Sequence, residues 1–156
     1  MEIREGDDGP RDKPHESVQE HNRYVVKFMM NALEKDGMFK PTYLSRLAAC
    51  LLSTGKWGYP EQEDILPGVD IKEATYRVKK RAQIASARSD ATRKLKEFKE
   101  AEADKVTVEL FRGSKPCGRV LQLGTYPQGI GAPIYPCEDC LEDDVCIIDY
   151  RPEWKD

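Results

Sequence analysis

The sequence predicts an α+β protein, with helices in the N-terminal two thirds of the chain and a small antiparallel β unit after them. Two observations predict this order. From Ile71 to Asp104 there is no glycine or proline, and strong helix formers such as alanine, lysine, arginine and glutamate dominate. After Asp104 the apolar residues alternate with polar ones, which is typical of a half-buried strand.

Two shorter helices are predicted before the long one. The first runs from His15 to Asp36 and ends at Gly37, because glycine suits the left-handed residue that follows a helix. The second begins at Pro41, where a missing N–H costs nothing, and stops at residues 53–55. Cys50 is expected to be a small buried residue on this second helix.

The long helix is predicted to begin at Asp70, a good N-cap residue, and to reach Asp104. A helix of this length measures about 50 Å. A compact domain of this size has a radius of gyration near ~15 Å. The helix is therefore expected to project beyond the globule and to pair with a second copy as a homodimer. The alternative is a break into two helices near Ser89 and Asp90.

The β unit is predicted to contain a hairpin and one further strand. Val106 to Phe111 forms its first strand, residues 113–118 turn the chain, and Arg119 to Leu123 returns. Residues 124–136 are interpreted as an irregular loop, and Val145 to Tyr150 as the third strand. The chain then divides into a disordered leader (1–14), a helical domain (15–104), the β unit (105–150) and a tail (151–156).

The net charge of −3 conceals a strong asymmetry along the chain. Residues 137–156 contain two basic and eight acidic residues, whereas residues 77–96 contain eight basic residues and Asp90 as their one acid. A basic block of this kind attracts polyanions. Its members are Arg77, Lys79, Lys80, Arg81, Arg88, Arg93, Lys94 and Lys96.

These eight residues predict a nucleic-acid-binding surface on the long helix. Three helices followed by a β hairpin also resemble, in order, a winged helix-turn-helix domain, whose third helix contacts the nucleic acid. The resemblance is one of topology alone, because this helix and the loop before it are both longer than usual. The alternative is a solvated helix face whose cations pair with acids such as Glu97 and Glu100.

Four of the five cysteines lie in the C-terminal third of the chain. Cys137 and Cys140 form a C-x2-C pair, with Cys146 after it and Cys117 in the turn before it. Such a set can enclose a tetrahedral zinc ion, which would stabilise a β unit with a thin core. Two alternatives stay open: unliganded structural cysteines, and a redox pair, although a redox motif normally opens a helix after a strand.

The sequence predicts a protein that is not an enzyme. His15 and His21 are its two histidines, and they lie about 240° apart around the first helix, so they do not share a face. Both are expected to be exposed to solvent. The residues show no Ser/His/Asp or Cys/His arrangement. An odd number of cysteines, and an acidic N-terminus without the apolar core of a signal peptide, predict a cytosolic protein.

The expected function is therefore regulatory: binding of nucleic acid, or of a nucleic-acid-handling complex, through the basic helix. The alternative is a protein-interaction module, such as an inhibitor or adaptor, whose acidic C-terminal region engages a basic partner surface. The residues expected to contact that partner are Glu138, Asp139, Glu142, Asp143, Asp144 and Trp154.

Overall fold

The computed structural model describes residues 16–111, 122–137 and 147–155. Its α-helices are α1 (Glu16–Asp36), α2 (Pro41–Thr54) and α3 (Ile71–Glu100), with a 3-10 turn (Gln62–Asp64) between the last two. Its strands are β1 (Lys105–Leu110), β2 (Gly124–Pro127) and β3 (Ile148–Glu153). The predicted α+β class is confirmed. Within the described ranges, no helix is both long enough and apolar enough to cross a membrane.

The helix boundaries follow from local residue chemistry. Gly37 follows α1 with a φ of 66°, and Gly55 follows α2 with a φ of 73°. Pro41 occupies the first turn of α2, as predicted. The side chain of Asp70 accepts a hydrogen bond from the backbone N–H of Lys72, which caps α3.

A helical core lies between α1, α2 and the N-terminal half of α3. Met29 and Leu33 from α1 are fully buried there, and Val78 from α3 meets them. Trp57, in the loop after α2, packs against this core. Burial of large apolar side chains stabilises such a core by about 1.5–3 kcal/mol each.

A second core lies between the sheet and the C-terminal half of α3. The strand order is β2-β1-β3, and both pairings are antiparallel. Val106 and Val108 point from the central strand towards Leu95 and Phe98 of α3 and are fully buried. The other face of the sheet is polar, with an ion pair between Arg151 and Glu109. The helix α3 therefore belongs to both cores.

The prediction that the long helix projects beyond the globule is wrong. The helix α1 packs against its first half and the sheet packs against its second half, so neither half extends beyond the protein as a bare helix. The helix ends at Glu100, because Glu102 takes a φ of 57° and Ala103 is drawn into a fully buried position. The prediction for Cys50 is also wrong: it is exposed on the outer side of α2.

Two strand positions differ from the predicted ones. The strand paired with β1 is Gly124–Pro127, and Gln122 and Leu123 lie outside it, so the segment interpreted as an irregular loop begins with a strand. The third strand continues to Glu153, so residues 151–153 belong to the sheet and not to a tail. Pro152 is tolerated there because β3 lies at the edge of the three described strands, where one missing N–H leaves the ladder intact. The leader (1–14) lies outside the described residues.

Two glycines of the turn after β2 allow a matched test of this packing. Gly129 and Gly131 have φ values of 80° and 82°, so alanine at either position should cost about 1–2 kcal/mol of unfolding free energy through backbone strain. Only at Gly129 would the new Cβ meet neighbours, at 3.2 Å from Leu95 Cδ2 and 3.3 Å from Val106 Cγ2. We therefore expect Gly129→Ala to be the more destabilising change in urea unfolding. Equal losses would show that the turn does not pack on the second core as described.

Candidate functional site

Two of the predicted basic residues hold α1 against α3. Arg81 donates from Nε to Asp36 Oδ2 (3.1 Å) and from one terminal nitrogen to Oδ1 (2.8 Å), a two-point contact that suits the planar guanidinium. Arg77 donates to the same Oδ1 at 2.9 Å and to Glu73. Only 4% of the Asp36 side chain is exposed, so its charge is removed from water and balanced by both arginines.

A third predicted residue, Arg88, connects the two cores. Its guanidinium donates to the backbone carbonyls of Ile134 (3.0 Å) and Pro136 (2.8 Å) and lies over the ring of Phe28. The hydroxyl of Tyr150 fixes the same loop by donating to Pro133 O and accepting from Tyr135 N–H. Burial of this phenol raises the pKa of Tyr150.

The remaining five predicted residues divide between the interior and the surface. Lys80 is buried. Arg93 is exposed and pairs with Glu97 (3.1 Å) and Asp90 (3.7 Å) on its own helix. Lys79, Lys94 and Lys96 are exposed. The predicted basic block is therefore not one exposed surface, because half of its cations are buried or half-buried in internal contacts. Nucleic-acid contact by the exposed ones stays a prediction.

The interpretation of His21 as a solvent-facing residue is wrong. Its Nδ1 lies 2.9 Å from Ser89 Oγ and 3.8 Å from Asp90 Oδ1, and its Nε2 lies 3.4 Å from Ser86 Oγ. The ring is half-buried because α1 faces the serine-containing middle of α3, where small residues leave room for an imidazole. His15 lies outside the described part of the chain.

An apolar groove runs between α1 and α2. Its volume is about 510 Å³, within the range usual for ligand and side-chain pockets. Half-buried side chains on both helices leave apolar surface open to solvent there, and exposed Glu34 supplies the charge at its rim. The lining includes Met30, Leu33, Phe39, Leu44 and Ala48.

The segment between α2 and α3 holds the start of α2, next to the groove. Asp64 accepts from the backbone N–H of Glu61 and from the guanidinium of Arg46, both at 2.9 Å. The backbone N–H of Glu61 and the Arg46 guanidinium lower the pKa of Asp64, and burial opposes them. The carbonyl of Asp64 accepts from Lys40 N–H, and Phe39 pairs with Ile65 in an isolated bridge. These contacts fix the start of α2 relative to α1.

The predicted zinc site lies mostly outside the described residues. Cys117, Cys140 and Cys146 are not among them, while Cys137 is half-buried against the second core. Within the described ranges, no three histidine, cysteine or acidic side chains are grouped as metal ligands. Zinc binding therefore stays a prediction.

The predicted acidic partner surface is also mostly outside these ranges. Glu138, Asp139, Glu142, Asp143 and Asp144 are not described. Trp154 is described: 53% of it is exposed, and its indole N–H donates to the carbonyl of Ala101 at 3.0 Å. It therefore attaches the chain after β3 to the C-terminal end of α3 while leaving most of the ring open.

Comparison with known proteins gives no relative: no protein-family model, no curated protein and no solved structure matches this chain. The candidate site therefore rests on the geometry of the groove and of α3.

One signal for the internal arginines was present in the sequence. Arg77, Arg81 and Arg88 are four and seven residues apart, so they share one line along α3 within about 40°. The same half of the helix surface carries buried Ala74 and Ala85. Basic residues that share a face with an apolar stripe are candidates for internal ion pairs, whereas Lys79 and Lys94 lie on the opposite side.

Removing the carboxylate of Asp36 should destabilise the protein strongly. Asp36→Ala leaves two guanidinium groups near the core without their shared partner, and we expect a loss of about 3–5 kcal/mol in the free energy of unfolding. Glu73→Ala is the matched control, since it removes an exposed partner of Arg77 and should cost at most about 0.5 kcal/mol. Urea unfolding followed by circular dichroism measures both. Similar small losses would contradict the central role of Asp36.

Proposed function

We propose that this protein is a non-catalytic protein-interaction module of the cytosol, acting as an inhibitor or adaptor, and that the apolar groove between α1 and α2 is its contact surface. The observation that carries the proposal is the groove itself. Met30 and Leu44 remain partly open to solvent on adjacent helices, above a floor of buried Leu33 and Phe39. Apolar side chains of a partner would bury this surface.

The groove favours a helical or extended segment with one or two large apolar side chains. Leu44 and Ala48 lie one turn apart on α2, which matches the spacing of anchors on a partner helix. The exposed carboxylate of Glu34 favours a basic residue beside those anchors. The acidic segment 138–144 and Trp154 are proposed to extend the contact, as the sequence suggests.

Peptide selection tests this proposal without a known partner. A displayed peptide library selected on the wild-type protein should enrich sequences with apolar anchors next to a basic residue. Leu44→Glu places a charge on the groove, and we expect it to weaken the binding of selected peptides by about tenfold or more, which corresponds to 1.4 kcal/mol.

Leu52→Glu is the matched control, because Leu52 is a 48% exposed leucine on the same helix that does not line the groove. It should leave peptide affinity unchanged. The proposal fails if no peptide is enriched, or if the two variants bind the selected peptides equally while both remain folded.

The second candidate is binding of nucleic acid through α3. It is favoured by four predicted cations that stay on the surface of that helix: Lys79, Arg93, Lys94 and Lys96. Long flexible lysines suit contact with phosphates, although Arg93 already pairs with two acids of its own helix. Such contacts would position the protein on a duplex or single strand without reading its sequence.

The salt dependence of DNA binding tests this second candidate. Binding to labelled duplex or single-stranded DNA, followed by fluorescence anisotropy, should weaken with salt by a log–log slope of about 0.9 per duplex phosphate contacted. Lys79→Glu with Lys94→Glu should reduce both affinity and slope. Lys56→Glu, on the exposed loop after α2, is the control, because it changes the charge at one site by the same amount as each of those substitutions. Absence of binding at low salt would remove nucleic acid as a ligand.

A further inference from the structure

The outward side of α3 carries a self-complementary row of charges. Lys72, Lys79, Asp90 and Glu97 are seven, eleven and seven residues apart. With about 100° of rotation per residue, these spacings place all four within about 20° of one line along the helix. Read from its N-terminus, the line is therefore positive, positive, negative, negative.

This row is open in the folded protein. Lys72, Lys79 and Glu97 are exposed, and half of the Asp90 side chain is exposed. Other parts of α3 pack against α1 and the sheet. Between the two halves of the row lie exposed Gln83 and half-buried Ser86, which are uncharged. His21 of α1 borders this centre, with its Nε2 3.4 Å from Ser86 Oγ and its Nδ1 3.8 Å from Asp90 Oδ1, so α1 lies along one edge of the row.

We propose that a second copy of this chain docks antiparallel on this row. A two-fold axis passes beside the midpoint between residues 84 and 85. It pairs a residue of one copy with a residue of the other copy such that their two numbers add up to 169. Lys72 then faces Glu97 of the second copy, and Lys79 faces Asp90 of the second copy. The symmetry repeats both contacts, so four opposite-charge pairs form around a centre where Gln83 meets Ser86.

The charge pattern selects this arrangement over its neighbours. A parallel, in-register pair would place lysine against lysine and acid against acid along the whole row. An antiparallel pair shifted by one heptad keeps half of the charge pairs. The second copy is thus the partner whose charges match the full row, and the contact is independent of the groove between α1 and α2.

The contact is expected to be reversible and sensitive to salt. Exposed ion pairs are weak individually, and added salt screens them. Arg93 also pairs with Asp90 and Glu97 within each copy, so the acids retain a neighbouring cation. Sedimentation velocity at low salt should show a monomer–dimer equilibrium that moves to monomer at high salt.

Charge reversal tests the pairing itself. The double variant Lys72→Glu with Lys79→Glu turns four attractive pairs into four repulsive ones, and its self-association should weaken by about a hundredfold or more. The reciprocal variant, Asp90→Lys with Glu97→Lys, should be monomeric for the same reason. An equimolar mixture of the two should form a heterodimer, because each now carries the complement of the other.

The control is Lys27→Glu, an exposed charge reversal on the outer face of α1, which should dimerise like the wild type. Circular dichroism confirms that every variant is folded. The proposal is overturned if the wild type is monomeric at low salt. It is also overturned if the double variants dimerise normally, or if the mixture stays monomeric.

Discussion

The fold depends on one carboxylate, that of Asp36, held between the guanidinium groups of Arg77 and Arg81. Buried charges are tolerated only when they are paired with good geometry, and removal of one partner leaves the other uncompensated. The contact therefore fixes how α1 lies along α3. Asp36 is the last residue of α1, where a negative charge interacts unfavourably with the helix dipole. Its pairing with the two arginines offsets this cost.

The need to pair buried charges also changes how the basic segment of α3 is interpreted. A block of cations in the sequence suggests a surface for polyanions, yet Arg77, Arg81 and Arg88 all act inside the molecule. Arginine suits this role because its planar group makes two hydrogen bonds to one carboxylate, or to two carbonyls, as Arg88 does with Ile134 and Pro136. The lysines at 79, 94 and 96 stay outside, where their charges are hydrated.

Because α3 is shared by both cores, different faces of this helix make different contacts. One face meets α1 through Asp36 and His21, and the second half of the helix meets Val106 and Val108 of the sheet. The outward row of charges, on which we propose self-association, and the groove between α1 and α2, which we propose as a partner site, consist of different residues. The two proposed contacts would therefore not compete.

The α+β class and most helix ends could be predicted from the sequence, since they follow from local chemistry: Gly37 in a left-handed conformation, Pro41 in a first turn, Asp70 as a cap. The C-terminal end of α3 could not, because it lies at Glu100 and not at the predicted Asp104. It placed β1 by its alternation, but misplaced the strands around it. Alternation alone does not decide which segment pairs, whereas cross-strand contacts such as Thr107 with Thr125 do.

Which charges face inward depends on contacts between segments that are far apart in the sequence. The helical period puts Arg77, Arg81 and Arg88 on one line, but their burial requires a carboxylate and two carbonyls from segments more than 40 residues away. Likewise, the exposure of Cys50 and the opening of the groove depend on the angle between α1 and α2. That angle is set by packing and by the contacts of Asp64, which no local pattern encodes.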